Sequence, residues 1–408
     1  MSGERLLVLA PFPPRLDAPH GAAKAIASVL VPLAERRPVA VVYLRREDDA
    51  AADEMLLARC EIVEEVRVCA RQRGLRRARR NAAVAGGLVA GRPAWVAECG
   101  ASAFAERAAQ IARSWRPDIV QAELPVMSEY ALRVPPPCIR ILVEHDPPTA
   151  AELSITAPRL LAPPLRRLDA RAWRLYERGS LPRFDAVVVF TERDREVVSL
   201  LGARRVETIP LAAEVAAAPT DPLGSGPPTI LFFGSFRHAP NVDAAARLIE
   251  RIFPRVRERV PEAQLEIVGE RPPAKLAARA GPGVAIRGFV PDIESQLRRA
   301  AVVAAPVTGG GGMRMKILQT LANGKALVAS PLALQGLDLQ AGREAVVAHS
   351  DADFVDALCI LLRDPGRRLE LARAAGAWAG TRGWGAVAAS YERLYDELAR
   401  PGQRGTCA

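Results

Sequence analysis

The sequence predicts an α/β protein made of two open domains, each with a parallel sheet covered by helices, facing a central cleft. Short apolar segments alternate with helix-like segments along both halves of the chain. Such alternation is typical of parallel sheets with helices on both faces. The stretch DPLGSGPP at residues 221–228 interrupts it, and its proline and glycine content indicates a linker. Ligands usually bind in a cleft of this kind.

The first half begins with a strand, a helix at Ala22–Glu35 and a second strand. Its predicted strands are Leu6–Ala10, Val39–Leu44, Asp118–Val120, Ile139–Val143, Ala186–Phe190 and Val206–Ile209. Those of the second half are Thr229–Phe233, Leu265–Val268, Val284–Ile286, Ala301–Ala305, Ala326–Ala329 and Ala345–Ala348. We expect Pro254 to end or kink the helix that follows the first of these. The predicted domains are residues 1–221 and 222–385, followed by a helical segment at 386–408.

Composition favours a protein of the cytoplasm that works on anionic partners. Lys and Arg number 56 against 46 Asp and Glu, a net charge of +10, which suits anionic small molecules, lipid surfaces or nucleic acid. Aromatic residues make up only 5%, which weakens a single-strand nucleic-acid interpretation. The six cysteines show no close pairing and the four histidines lie far from them, so we expect reduced thiols and no zinc site. We expect neither a signal peptide nor a membrane span.

Residues 306–325, PVTGGGGMRMKILQTLANGK, form the most informative segment. An apolar run precedes four glycines, and Arg314 and Lys316 then fall in the first turn of a predicted helix. Helix N-termini present unpaired N–H groups, and glycines let an anion approach the backbone. The segment therefore predicts a site for a phosphorylated ligand. The alternative is a flexible loop before an ordinary amphipathic helix.

Three further strand ends carry glycine. Gly234 and Ser235 would place backbone N–H groups on phosphates, with Arg237 adding charge. The structural alternative is a tight turn with Asn241 as the helix N-cap. Gly269 and Gly288 would let the backbone approach a base, or would simply make turns.

The second half of the chain resembles the nucleotide-sugar-binding domain of family-4 (group 1) retaining glycosyltransferases, which have the GT-B fold of two Rossmann-like domains. The resemblance covers residues 229–395 through the motifs ILFFGSFRHAPNVDAA, LEIVGERPP, VAIRGFVPDI and PVTGGGGMRMKILQTLANGKALVASPLALQGL. The last motif is similar to an exopolysaccharide-type subgroup. The first half resembles the family more loosely through RPDIVQAEL, ILVEHD and FDAVVVFTERD.

The resemblance implies a hexosyltransferase-like enzyme that moves a sugar from a nucleotide-diphosphate sugar to a glycan or lipid-linked acceptor in polysaccharide or glycoconjugate synthesis, with retention of configuration. The second domain would bind the donor and the first the acceptor, and the helix at Val387–Ala399 would cross back to the first domain. No cofactor is expected. No metal is required, because Arg314 and Lys316 would neutralise the diphosphate as the sugar bond breaks.

Matching positions give the expected site residues. The catalytic residues would be His145, Arg314 and Lys316, although a lone histidine such as His145 is more often structural. The donor-binding residues would be Gly234, Ser235, Arg237, Gly269, Gly288, Phe289, Val290, Gly311, Gly312 and Gln319. The acceptor-side residues would be His20, Gly21 and Lys24.

Some positions depart from the family. Two glutamates frequent in this segment are replaced by Gly311 and Gln319, and a later one by Gln335. Neutral side chains there motivate a first alternative, a non-catalytic member that binds nucleotide sugars or assembles a polysaccharide machine. The Asp351-Ala-Asp353 pattern mimics a metal motif of the other glycosyltransferase fold, and we interpret it as a helix N-terminus.

The arginine run RQRGLRRARR at residues 71–80 stands apart from these motifs. On a helix, Arg73, Arg76, Arg77 and Arg80 would share one face. That face would dock on an anionic membrane surface, giving peripheral attachment to the inner face of the membrane. It would otherwise meet an acidic acceptor or be an ordinary solvated face. The run and the net charge also motivate a second alternative, a nucleic-acid-binding protein, against which the lack of recognisable binding motifs argues.

Overall fold

The computed structural model describes residues 3–18, 21–47, 49–68, 84–136, 138–145, 147, 163–212, 221, 223–236, 238–309 and 315–400. These residues form two compact units. Unit 1 consists of the described parts of 1–18, 22–210 and 387–408, and unit 2 of those of 19–21 and 211–386. Each unit contains a parallel sheet with helices, which confirms the predicted α/β class with two Rossmann-like domains.

Unit 1 is built on a seven-stranded sheet with the order β3-β2-β1-β4-β5-β6-β7, and each neighbouring pair of these strands is parallel. The strands are β1 (Leu6–Ala10), β2 (Val39–Arg46), β3 (Ile62–Val68), β4 (Ile119–Glu123), β5 (Ile139–Val143), β6 (Ala186–Val189) and β7 (Val206–Thr208). The strand order reverses between β1 and β4, which is where open α/β sheets bind ligands.

The central strands are almost entirely apolar because helices cover both of their faces. All five residues of β1 are buried, for example. Strand β3 was not predicted. Its sequence IVEEVRV carries charges, and only Val66 is fully buried, because the strand lies at the edge of the sheet with much of its surface in water.

The helices of unit 1 lie between these strands and at the end of the chain. They are α1 (Gly21–Ala34), α2 (Glu54–Leu57), α3 (Ala94–Glu98), α4 (Ser102–Trp115), α5 (Ser128–Ala131), α6 (Pro163–Ser180), α7 (Glu192–Leu200) and α15 (Trp384–Ala399), with 3₁₀ turns at Pro125–Met127 and Leu181–Arg183. Residues 84–89 are also helical. Residues 22–34 of α1 and 387–399 of α15 group with unit 1.

Unit 2 is built on a six-stranded sheet with the order β10-β9-β8-β11-β12-β13, again parallel throughout its described strand pairs. The strands are β8 (Thr229–Phe233), β9 (Gln264–Val268), β10 (Val284–Arg287), β11 (Val302–Ala305), β12 (Leu327–Ala329) and β13 (Val346–Val347). Here the order reverses between β8 and β11. Both sheets therefore share the same arrangement of their first four strands.

The helices of unit 2 follow the same alternation. They are α8 (Ala239–Arg247), α9 (Phe253–Arg259), α10 (Ala274–Ala277), α11 (Ile293–Arg299), α12 (Met315–Ala322), α13 (Asp351–Arg363) and α14 (Pro365–Gly380), with a 3₁₀ turn at Pro331–Leu334. A π-helical turn at Leu248–Ile252 separates α8 from α9. Pro254 lies in the first turn of α9, where a missing N–H costs little, so the predicted interruption is confirmed.

The glycine- and proline-rich stretch at 221–228 packs on unit 2. A Cβ atom on Gly224 would lie 2.6 Å from the carbonyl oxygen of Ala300, and the N–H of Ser225 donates to Arg299 O at 3.3 Å. The buried ammonium of Lys325 donates to Asp221 O at 2.6 Å, and burial lowers the pKa of Lys325 to about 8. At the other end of the stretch, Pro228 O accepts the N–H of Gln264 at 3.0 Å. Contacts within unit 2 thus hold the stretch at both ends.

Residues 351–353 begin a helix, as predicted. Ser350 is the N-cap of α13, and its side chain and that of Asp353 form a capping box. Asp351 pairs with Arg247 at 2.6 Å and with Arg251 at 2.6 Å. Within the described part of the chain no cluster of three or more His, Cys, Asp or Glu side chains could hold a metal ion.

Four cysteines in the described ranges, Cys60, Cys99, Cys138 and Cys359, carry free thiols; Cys69 and Cys407 lie outside those ranges. None of the helices in the described ranges has the length and apolar character needed to cross a bilayer.

Glu177 is a buried acid on α6. Neither of its carboxyl oxygens has a hydrogen-bond partner among the described residues. Burial raises the pKa of Glu177 to about 8, because the charged form is poorly solvated in the protein interior. The side chain is therefore a neutral carboxylic acid at neutral pH.

We predict that Glu177→Gln removes a pH dependence of stability. Between the usual pKa of 4.5 and about 8, the unfolded chain loses the Glu177 proton while the folded chain keeps it. The contribution of Glu177 is therefore most favourable below pH 4.5 and declines towards pH 8, by up to about 1.4 kcal/mol per pH unit. Urea unfolding should show the variant to be more stable than wild type at about pH 8 and less pH-dependent. Parallel pH profiles for the two proteins would contradict this.

Candidate functional site

The candidate site of unit 2 lies at the carboxyl edge of its sheet. Gly234 follows β8, Gly269 follows β9, Gly288 follows β10 and Pro306 follows β11. Because the strands are parallel, these loops all emerge at the same edge. The motifs identified in the sequence are therefore brought to one side of the unit by strand direction alone.

Lys316 connects the two central loops of this edge. It lies in the first turn of α12, after β11, and its Nζ donates to Asn241 Oδ1 at 2.5 Å. Asn241 belongs to α8, after β8, and its Nδ2 donates to Ser235 O at 2.8 Å. The ammonium also lies 4.4 Å from the centroid of the Phe232 ring, a favourable cation–π position. A positive charge is thus fixed where the strand order reverses.

Asn241 is not the helix N-cap that the sequence indicated. The N-cap of α8 is His238, which makes no side-chain cap hydrogen bond, and Asn241 is the third residue of the helix. Its side chain instead orients Lys316 and binds the Ser235 carbonyl. The amide suits this position because it offers one acceptor and two donors. The predicted capping role of Asn241 is therefore wrong, although the residue does lie in this loop region.

The glycines after β8 and β9 allow the two loops to touch. A Cβ atom on Gly269 would lie 1.9 Å from Gly234 O, and one on Gly234 would lie 2.7 Å from Lys316 Nζ. The N–H of Gly234 donates to Val268 O at 3.0 Å. The expectation that the Gly234 N–H faces a phosphate is therefore wrong, because this N–H is bonded to the carbonyl of Val268 in β9. Ser235 Oγ donates to Glu270 Oε1 at 2.9 Å, which joins the same two loops.

The loop after β10 is more open. A Cβ atom on Gly288 would meet no atom within 4 Å. Phe289 is 51% exposed, whereas Val290 packs against the core of unit 2. An exposed aromatic ring next to a partly buried residue offers a flat surface on which a base could stack.

The structure describes only some of the remaining residues predicted for the donor site. Gln319 is half-buried on α12, one turn after Lys316, and Gln335 is exposed. Arg237, Gly311, Gly312 and Arg314 lie outside the described residues, so their roles stay predictions.

In unit 1 the predicted catalytic histidine joins a buried polar network. His145 follows β5, and its Nε2 lies 2.8 Å from Glu123 Oε2 at the end of β4. Gln121 Nε2 donates to Glu123 Oε1 at 2.6 Å, and Tyr395 of α15 donates its hydroxyl hydrogen to Gln121 Oε1 at 2.6 Å. The His145 and Phe190 rings pack edge to face, with centroids 5.0 Å apart.

The Tyr395 hydroxyl, at one end of this network, fixes the direction of each hydrogen bond in it. Burial raises the pKa of Tyr395 well above its usual value, so the hydroxyl remains a donor. Gln121 must then accept from Tyr395 and donate to Glu123. A Glu123 carboxylate accepts from both of its neighbours, so His145 carries its hydrogen on Nε2 and a neutral ring has its lone pair on Nδ1.

The α15 end of the network is anchored by Arg37. Its guanidinium lies 4.6 Å from the centroid of the Tyr395 ring and pairs with Glu392 at 2.6 Å. Of the acceptor-side residues, Gly21 begins α1 and Lys24 is half-buried on its first turn, both beyond the carboxyl end of β1. His20 lies outside the described residues, as do Arg73, Arg76, Arg77 and Arg80.

The second half of the chain matches a known family model. Residues 227–364 match the model described as Glycosyl transferases group 1. The phosphatidyl-myo-inositol mannosyltransferase of Mycobacterium tuberculosis is 29% identical over 246 residues, which cover 58% of this chain and 59% of that protein. The Mycobacterium leprae enzyme of the same name is 32% identical over 216 residues, 50% of this chain and 56% of that protein. The chain thus matches somewhat more than half the length of these relatives.

Solved structures resemble the chain over nearly its whole length. Sucrose-phosphate synthase from Thermosynechococcus elongatus has a TM-score of 0.67 at 14% identity, covering 97% of this chain and 99% of that one. Anabaena HepE in complex with UDP and glucose has a TM-score of 0.65 at 14% identity, covering 97% and 100%. The fold is the GT-B fold, as predicted. Residues 227–364 thus resemble group 1 glycosyltransferases, and the chain shares the fold of these solved structures.

We predict that Gly269→Ala destabilises unit 2 by about 1–3 kcal/mol, because the added methyl group would overlap the Gly234 carbonyl. Gly288→Ala is the matched control, since its methyl group would enter open space, and we expect a change within about 0.5 kcal/mol. Differential scanning calorimetry of both variants measures the difference. Equal melting of the two variants would show that the loops do not need this close approach.

We predict that Glu123→Gln changes the tautomer of His145. Gln121 and His145 contact different oxygens of Glu123, and a glutamine replaces one of these oxygens with an NH2 group. Because Tyr395 keeps the Gln121 NH2 group directed at residue 123, the new amide should present its oxygen to Gln121 and its NH2 group to His145, and the neutral ring should shift towards Nδ1–H. The ¹⁵N chemical shifts of the imidazole ring, assigned with His145→Gln, report the tautomer. Tyr395→Phe, which keeps the carboxylate, should leave Nε2–H in place. An unchanged Nε2–H signal in Glu123→Gln would refute the assigned network.

Proposed function

We propose that the protein is a retaining, metal-independent glycosyltransferase. It moves a sugar from a nucleotide-diphosphate sugar to a glycan or lipid-linked acceptor in polysaccharide or glycoconjugate synthesis. The observation that carries the proposal is the Lys316 ammonium, held by Asn241 at the strand-order reversal of unit 2. The match of residues 227–364 to group 1 glycosyltransferases supports it.

Lys316 would act on the leaving diphosphate. Negative charge grows on that group as the bond to the sugar breaks, so a cation already in position stabilises the transition state more than the bound donor. Asn241 and the Phe232 ring limit the movement of the ammonium, which reduces the reorganisation needed during the reaction. In this proposal Arg314 adds a second cation and His145 contacts the reacting sugar. The fixed cations perform the electrostatic task that a bound metal ion performs elsewhere.

The donor in this proposal carries UDP or GDP. The HepE structures hold UDP with glucose, or UDP-glucose, and the curated relatives are named mannosyltransferases. Phe289 would stack on the base, and Gln319 would bind ribose hydroxyls one turn beyond Lys316. The relatives' name, which specifies a phosphatidyl-inositol, supports a lipid-linked acceptor. In this proposal the protein is cytoplasmic and is attached peripherally to the inner membrane face.

The alternative is a non-catalytic protein of the same fold that binds nucleotide sugars or organises an assembly. Gly311, Gln319 and Gln335 favour it, because they are neutral at positions where the family resemblance leads us to expect glutamate. Turnover distinguishes the two functions, since the alternative retains donor binding without transfer.

We predict that Lys316→Ala lowers single-turnover transfer or donor hydrolysis on the order of a hundredfold while weakening donor affinity much less. Arg314→Ala should behave similarly. Gln319→Ala is the contrasting variant, because a ribose contact is similar in ground and transition states, so it should chiefly raise the donor KM. A screen of UDP- and GDP-sugars in the presence of EDTA identifies the donor to use.

Three results would count against this function. Wild-type rates in Lys316→Ala with weaker binding alone would make Lys316 a binding residue. Donor binding without turnover by the wild type would favour the non-catalytic alternative. Loss of donor binding on chelation would contradict metal independence.

A further inference from the structure

Helix α6 of unit 1 has an unusual distribution of side chains. Its two acids, Asp169 and Glu177, are both buried. The Asp169 carboxylate accepts the N–H of Ala94 at 2.8 Å, at the start of α3, and Glu177 is the neutral acid described above. Two of its leucines are exposed instead, Leu168 by 37% and Leu175 by 50%. The helix therefore turns its acids inward and presents apolar and basic side chains to solvent.

The exposed arginines of α6 form one stripe. Arg167, Arg171, Arg174 and Arg178 are all exposed, and at 3.6 residues per turn they fall within about 60° of arc around the helix axis. Leu168 and Leu175 lie two turns apart along the adjacent edge of this stripe. Four cations thus stand beside an apolar edge with no acidic side chain exposed on the same helix.

The apolar edge continues onto the neighbouring segment. A Cβ atom on Gly91 would lie 3.3 Å from Leu175 Cδ1, so the chain at Gly91 lies against this leucine. Val89, two residues earlier, is 81% exposed. This segment follows the arginine run of residues 71–80 in the sequence.

A recess beside α6 adds further cations. It has a volume of about 460 Å³, and its lining includes Leu175, Tyr176, Arg133 and Arg183. Glu129 also lines it, but both of its carboxylate oxygens are paired with Arg92, at 3.0 and 2.9 Å. The recess combines apolar walls with guanidinium groups that suit a phosphate.

We propose that this α6 face, defined by Arg167, Arg171, Arg174, Arg178, Leu168, Leu175 and Val89, docks on the surface of an anionic phospholipid bilayer. Guanidinium groups bind lipid phosphates, and the exposed leucines and valine enter the boundary between headgroups and acyl chains. Exposed aliphatic side chains favour a bilayer over nucleic acid, because a sugar-phosphate backbone offers them no apolar contact and the stripe has no aromatic ring for stacking. The proposal does not depend on catalytic activity.

Vesicle flotation with the full chain tests the proposal. Phosphatidylcholine vesicles with and without phosphatidylglycerol are compared at low salt, where attraction between surface charges is strongest. The triple variant R167Q/R171Q/R178Q should reduce partitioning to anionic vesicles on the order of a hundredfold, at about fivefold for each arginine. The control R255Q/R299Q/R373Q removes the same charge from exposed positions of unit 2 and should have little effect.

A second variant tests the apolar edge. L168S/L175S keeps every charge and should still reduce partitioning to anionic vesicles severalfold, because the lost apolar area no longer enters the interface. Thermal melting of each variant confirms that it is folded. We expect neither the wild type nor the variants to float with pure phosphatidylcholine.

Several outcomes would overturn the proposal. One is failure of the wild type to float with anionic vesicles at low salt. Another is a loss of vesicle binding in the unit 2 control as large as that in the α6 variant. Loss of flotation on neutralising only Arg73, Arg76, Arg77 and Arg80, with normal flotation of the α6 triple variant, would assign the membrane contact to the arginine run. Oligonucleotide binding that falls with the α6 arginines, with flotation unaffected by L168S/L175S, would identify a nucleic-acid surface.

Discussion

Parallel strand direction is the constraint on which the other features of each unit depend. Each neighbouring pair of described strands in both sheets is parallel, so every strand must be followed by a crossover, and every loop after a strand emerges at the same edge. Lys316 and Asn241 meet because they lie in the first turns of the helices after β11 and β8, the two adjacent strands where the order reverses. His145 and Glu123 meet for the same reason, since β5 and β4 are neighbours. One geometric rule thus positions both polar clusters.

The fold was largely predictable because its signals are local. Fully buried parallel strands need continuous apolar runs, and those runs are visible in the sequence, whereas the charged edge strand β3 lacks one and was missed. Contacts between distant residues were not predictable in the same way. Nothing near Asn241 in the sequence shows that its amide faces a lysine 75 residues later, so the local rule for helix N-caps gave the wrong task. Likewise, the requirement for glycine at 269 arises from a carbonyl in another loop.

A sequence signal for the His145 network does exist, although it was not used. Strand β4 has the sequence IVQAE and is buried at all five positions, so Gln121 and Glu123 are polar residues within a core strand and share one face. Buried polar groups of this kind require partners. Here the partners are His145, just after β5, and Tyr395 of α15. The identity of those partners depends on strand order and on the position of α15, which a single sequence does not specify.

The position of α15 has a consequence for how the chain matures during synthesis. Residues 211–386 form a separate unit inserted between the two parts of unit 1, so unit 2 can fold while the last segment of unit 1 is still being translated. Until Tyr395 and Glu392 leave the ribosome, Gln121 lacks its hydroxyl donor and Arg37 lacks the stronger of its two carboxylate partners, keeping only Glu4. The nascent unit 1 therefore lacks the hydrogen bonds that α15 supplies until residues 211–386 have been translated. A polypeptide that stalls before residue 387 would present quality-control proteases with one complete unit and one unfinished unit.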